Sequence, residues 1–82
     1  MAAASQSRLE LGLEYLNQGD LKAAQQNLEK ARDAAPDDYR TQLGMALYQQ
    51  RTGDNNAAQK SYQTAMNLAP QNGTVMNNYG AF

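Results

Sequence analysis

The chain has 82 residues, about half of the usual ~150 for one domain, which leaves room for one small domain and no large enclosed active site. Its 34 apolar residues include 14 Ala, 9 Leu and a single Val, with no Ile or Trp, a composition that favours helix and nearly excludes a sheet. Seven basic against eight acidic residues give a net charge of −1, which argues against neutralising nucleic-acid phosphates, and without Cys or His the usual zinc ligands, a cysteine nucleophile and the commonest general base are missing.

The first predicted helix covers 5–18, where Leu9, Gly12, Leu13 and Leu16 mark one stripe and Leu11 and Tyr15 adjoin it. An arc this wide fits a helix touched on two sides. Gly19 suits the left-handed residue that ends a helix, and Asp20 follows as the cap of a second helix, 21–34. Pro36 closes that helix and biases Ala35 out of the helical region, after which Asp37 or Asp38 caps a third helix, 38–52. Gly53 and Asp54 repeat the Gly-Asp turn before a fourth helix, 55–68, which Pro70 closes. A last helix, 73–82, carries Val75, Met76, Tyr79 and Phe82 and stops where this register would still have turns to run, so the sequence reads as cut inside a third repeat.

The apolar runs are only a few residues long, as at Met1–Ala4, far short of the ~20 needed to cross a bilayer, and no secretory signal is expected there.

At an offset of 34, Leu9, Leu13, Gly19, Asp20, Ala23, Ala24, Gln25, Ala31, Ala35 and Pro36 fall on identical residues, ending at Pro70. A fixed period of this size means stacked helix–turn–helix units. The units run 5–36 and 37–70, with a partial third at 71–82.

Position by position the period resembles the tetratricopeptide repeat. Arg8, Leu11, Gly12, Tyr15, Ala24, Leu28, Ala31 and Pro36 stand at its signature positions in the first unit. Gln42, Met45, Ala46, Gln49, Ala58, Tyr62, Ala65 and Pro70 stand there in the second, and Met76, Tyr79 and Gly80 open a third. Arg8 and Gln42 depart from Trp, and Gln49 departs from Tyr. The resemblance implies an all-α, right-handed superhelical stack of two full repeats plus the first helix of a third, in which Gly12, Ala24, Ala46, Ala58 and Gly80 let helices approach closely.

The segments beginning at Arg8, Gly19 and Pro36, together with Val75-Met-Asn-Asn-Tyr-Gly-Ala-Phe82, also look like the N-terminal repeats of the type IV pilus biogenesis family PilF/PilW. Asn77-Asn78-Tyr79-Gly80 is the most specific piece. That resemblance implies an outer-membrane lipoprotein of the pilotin class, which helps the pilus secretin assemble. It places the parent protein on the periplasmic side of the outer membrane, with this stretch soluble. A second reading is an adaptor module of another secretion or assembly system.

Asp37 and Asp38 are adjacent carboxylates, but right after a proline they read as helix caps rather than an acid–base pair. Glu10 and Glu14 read as solvent-facing, since two carboxylates fall short of a calcium site. Gly12 and Gly80 sit in no phosphate-binding pattern and read as packing glycines. No catalysis, metal or cofactor is expected.

The repeat resemblance implies a concave face lined by the first helix of each unit. It selects Gln6, Leu9, Glu10, Leu13, Leu16 and Asn17, then Arg40, Leu43, Gly44, Leu47, Gln50 and Arg51, then Thr74, Asn77, Asn78 and Ala81. We take Leu9, Leu13, Leu16, Arg40, Leu43, Leu47, Arg51, Asn77 and Asn78 as candidate contacts for a protein or peptide partner, a Leu floor with an amide and Arg rim. The alternative for each leucine is packing against its neighbours alone. The groove positions that hold a terminal carboxylate in chaperone-binding relatives carry Leu9, Leu13, Gly44, Thr74 and Asn78, so such a clamp is not expected. Tyr62 occupies the core aromatic position and Tyr48 an inter-repeat position, with Tyr39 left open between core and surface. An exposed apolar end formed by Val75, Met76, Tyr79 and Phe82 predicts self-association through the third repeat.

Overall fold

The computed structural model describes residues 2–82, with side chains from Ser5 onward. Five helices follow in order: α1 (Ala2–Gln18), α2 (Leu21–Ala34), α3 (Tyr39–Thr52), α4 (Asn55–Leu68) and α5 (Gly73–Ala81), with no strand among the described residues. The helix assignments from sequence differ mainly at the start of α1. There the Ala-rich opening, made of the best helix former, carries the helix back to Ala2.

The Gly-Asp turns work as their chemistry requires. Gly19 and Gly53 take φ of 80° and 83°, the left-handed region that favours glycine, and end α1 and α3. Beyond each, the amides of Asp20 and Asp54 donate back five residues to the Tyr15 and Gln49 carbonyls at 3.0 and 2.9 Å, closing the helix end. The side chains of the same aspartates accept from the amides of Ala23 and Ala57 at 3.2 and 3.3 Å, capping α2 and α4. Asp38 caps α3 through the Arg40 amide at 3.0 Å, so of the two adjacent carboxylates the second is the cap. Asn72 does the same for α5 with the amides of Thr74 and Val75. Asp54→Ala is expected to cost about 1 kcal/mol, read as a lower urea midpoint, because it orphans an α4 amide and touches no core residue.

Two-residue turns make α1/α2 and α3/α4 antiparallel hairpins, and these stack through α1 and α2 against α3, with α5 resting on α4. The repeat is visible in burial: Ala24, Leu28 and Ala31 are fully buried, and so are their equivalents Ala58, Tyr62 and Ala65. The first set joins Leu9, Leu16 and Met45 in one core cluster, and the second joins Leu43, Ala46 and Val75 in another. Met45 thus seals the first repeat from the second. Its equivalent Leu11, with no helix on that side, is 42% exposed against 2% for Met45.

Three departures from the repeat signature are filled by hydrogen bonds. Arg8 donates to Asn27 across α1 and α2 at 3.2 Å, and Gln42 donates to the Pro36 carbonyl at 2.9 Å. Gln49, where the pattern has Tyr, places its amide nitrogen to donate to Ser61 Oγ at 2.7 Å and to the Ala57 carbonyl at 3.0 Å, clamping α3 to α4.

Two expectations fail. Val75 is fully buried and Tyr79 packs into the second core cluster, so the exposed apolar end reduces to Met76 and Phe82, at 50% and 38%. The cause is Tyr62: Tyr79 stacks on it at 5.2 Å and 4°, and Phe82 tilts against it at 5.2 Å. Gly80, expected to pack closely, faces open space, since nothing lies within 4 Å of a Cβ built there.

Candidate interaction groove

Between the first helices of the two hairpins and α5 lies a hollow of about 640 Å³. Its walls are Leu13, Leu16 and Asn17 from α1, Leu47, Gln50 and Arg51 from α3, and Asn78 and Ala81 from α5. A smaller hollow of about 200 Å³ adjoins it, walled by Leu9, Leu13, Tyr39, Arg40, Leu43, Gly44, Leu47 and Thr74. Leu13 and Leu47 belong to both and form the ridge between them. The i, i+4 spacing of Leu9/Leu13 and Leu43/Leu47 puts each pair on one helix face, which is why a single surface collects them.

The candidate residues divide in the structure. Leu13 and Leu47 are half-buried and offer the apolar floor, whereas Leu9, Leu16 and Leu43 are buried and show the groove only an edge. Gly44, at a concave position, is buried and serves the close approach of α1 and α3. A Cβ there would lie 2.9 Å from Leu9 and 3.2 Å from Leu28. Asn78 and Arg51 line the larger hollow and Arg40 the smaller one, while Asn77 is exposed and lines neither. Asn17, Gln50, Thr74 and Ala81, concave by register though outside the candidate contacts, complete the walls. Tyr39 packs against the second core cluster and also walls the smaller hollow, so it belongs to both core and surface. Tyr48 packs against the first repeat's core, and Tyr62 is fully buried. Glu10 and Glu14 are exposed.

Both rim cations are engaged. Arg40 grips the Asp38 carboxylate with two bonds, from Nε at 3.1 Å and Nη2 at 2.8 Å. Arg51 lies at the C-terminal end of α1 and donates to the Leu16 carbonyl at 3.1 Å, where the helix dipole favours a positive charge. The hydrogen bond from Arg40 holds the Asp38 carboxyl below its ordinary value of 3.8. A depressed carboxylate stabilises the fold above its unfolded pKa, and that contribution is lost as pH falls through the folded one. Acid titration by NMR is expected to show Asp38 protonating below the ordinary aspartate value, and Arg40→Gln is expected to raise it, since only the bond from the residue-40 amide survives the change.

The tetratricopeptide-repeat family model matches residues 5–38 and 39–72. The chain belongs to the tetratricopeptide-repeat family. Tetratricopeptide repeats are protein-interaction scaffolds and typically non-catalytic. The chain is 37% identical over 79 residues to an uncharacterized Haemophilus influenzae protein, covering 96% of this chain and 44% of that protein. It is 31% identical over 74 residues to the type IV pilus assembly protein PilF of Pseudomonas aeruginosa, covering 90% of this chain and 29% of PilF. It therefore spans less than half the length of either relative. No solved structure matches the chain.

Proposed function

We propose that the chain is a non-catalytic scaffold whose groove takes a segment of a protein partner, as part of a pilotin-like protein that assists assembly of the type IV pilus secretin. The observation that carries the scaffold reading is the apolar floor of Leu13 and Leu47, rimmed by Asn17, Gln50 and Asn78 from α1, α3 and α5. An apolar floor with an amide rim suits a peptide with apolar anchors. The pilus assignment rests on the likeness to PilF and on the Asn77-Asn78-Tyr79-Gly80 run. It would put the parent protein on the periplasmic side of the outer membrane. No helix of the described residues is long and apolar enough to cross a membrane.

The test is an amide-resolved NMR titration of the 82-residue chain with soluble segments of a type IV pilus secretin. Shifts gathered on Leu13, Leu47, Gln50 and Asn78 are the expected result. Sharp spectra with no groove shifts would overturn the pilus assignment for this stretch and favour an adaptor of another assembly system. The same spectra report self-association through Met76 and Phe82, whose lines would broaden as concentration rises, and a monomer in sedimentation at millimolar concentration would refute it.

A further inference from the structure

We propose that the groove's occupant is an internal, extended segment carrying two apolar side chains two residues apart. The inference deepens the groove reading above and rests on it.

The two hollows are staggered along the helices. On α1 the smaller is walled by Leu9 and Leu13 and the larger by Leu13, Leu16 and Asn17. On α3 the walls step from Arg40, Leu43, Gly44 and Leu47 to Leu47, Gln50 and Arg51. At 1.5 Å per residue the centres lie roughly 6–9 Å apart. Side chains at i and i+2 of an extended chain project from one face about 6.8 Å apart, and those at i and i+4 of a helix about 6 Å apart. Spacing alone admits both.

The rim amides decide between them. The Gln50 carbonyl oxygen accepts from the buried Tyr62 hydroxyl at 2.6 Å, which leaves its amide nitrogen without a partner among the described residues. Asn78 is the converse: its nitrogen donates to the Thr74 carbonyl at 2.8 Å, leaving its oxygen open. One wall of the larger hollow therefore offers a fixed donor and another a fixed acceptor. A strand has backbone C=O and N–H groups to meet them, whereas a helix has already bonded its own. Charge points the same way. Arg40 is neutralised by Asp38 and the rest of the smaller hollow is Leu9, Leu13, Tyr39, Leu43, Gly44, Leu47 and Thr74, so nothing there holds a terminal carboxylate and an internal stretch fits better. The smaller hollow, mostly apolar and about 200 Å³, fits an aliphatic anchor.

The experiment titrates the 82-residue chain, by NMR, with three probes. The first is the capped peptide acetyl-Gly-Ser-Leu-Thr-Leu-Ser-Gly-amide. The second has the same composition with the leucines adjacent, and the third is a stapled helical peptide with leucines four apart. The first is expected to bind about tenfold tighter than the others, shifting Leu13, Leu47, Gln50 and Asn78. Gln50→Glu keeps the oxygen that accepts from Tyr62 but removes the donor, and is expected to weaken binding about tenfold, as is Asn78→Ala. Equal or tighter binding of the helical peptide, or an unchanged affinity in Gln50→Glu, would overturn the extended assignment while leaving the groove in place. Failure of all three probes to shift the groove would also overturn it, whereas failure of the secretin segments bears on the pilus assignment.

Discussion

Tyr62→Ala is expected to lower stability by about 3–5 kcal/mol, the range for deleting a large buried aromatic side chain. At roughly 0.05–0.15 kcal/mol per residue an 82-residue chain holds only about 4–12 kcal/mol, so this loss removes a large share of it. The effect is large because one ring serves two helices. It fills the α3/α4 core, fully buried, and it is the surface on which Tyr79 stacks and Phe82 leans. Losing it frees α5 as well as opening a cavity. Urea unfolding would read the stability, and amide exchange should quicken across α5 more than across α2. Tyr62→Phe keeps the ring and loses only the hydroxyl bond to Gln50, for about 0.5–1.5 kcal/mol. Equal losses in the two variants would refute the stacking account. Burial also pushes the Tyr62 hydroxyl above its ordinary 10.0. A raised pKa contributes its stability below the unfolded value and loses it as pH rises through the folded one, so alkali is expected to destabilise the native chain more than the Phe variant.

The helices were legible because their punctuation is local. Gly19 and Asp20 specify a turn by backbone freedom and one side-chain oxygen, and the same pair recurs at Gly53 and Asp54, so a 34-residue offset fixes both hairpins without any knowledge of packing. What the offset does not carry is context. Leu11 and Met45 are equivalent in sequence, yet only Met45 has a helix on its outer side. Likewise Gly12 and Gly80 are equivalent, and only Gly12 is crowded. The inward packing of α5 escapes the pattern for a related reason: Tyr79 stacks on Tyr62 of the preceding helix and Val75 joins the same core cluster, long-range contacts that no periodicity announces.

The groove was legible in register and less so in detail. Concave positions from three helices did come together, but helix periodicity alone does not separate a leucine that points into the groove from one a turn away that points between helices. Leu13 and Leu47 do the first, while Leu9, Leu16 and Leu43 do mostly the second. The polar rim was harder still, because the availability of Gln50 and Asn78 depends on which of their atoms Tyr62 and Thr74 already occupy.

The same substitution at two equivalent glycines is expected to have opposite signs. A methyl at Gly12 would lie 2.7 Å from Cγ and Cδ2 of Leu28 and 3.1 Å from its backbone nitrogen, and Leu28 is fully buried with no free side to move into. Overpacking of this kind costs about 1–3 kcal/mol, more than the roughly 1 kcal/mol that alanine gains over glycine within a helix. Gly12→Ala is therefore expected to destabilise the chain. Gly80→Ala meets nothing within 4 Å and is expected to be neutral or stabilising by up to about 1 kcal/mol. Leu28→Ala alone is expected to cost about 2–5 kcal/mol through its cavity. Because that cavity is where the Gly12 methyl would go, the double variant Gly12→Ala, Leu28→Ala should cost less than the sum of the two singles, by about 0.5–3 kcal/mol. Thermal and urea unfolding of the four chains closes the cycle. Strict additivity would mean that the first repeat yields at the α1–α2 crossing rather than at Leu28, whereas a double variant cheaper than the sum would identify the missing side chain at Gly12 as what lets the first hairpin close.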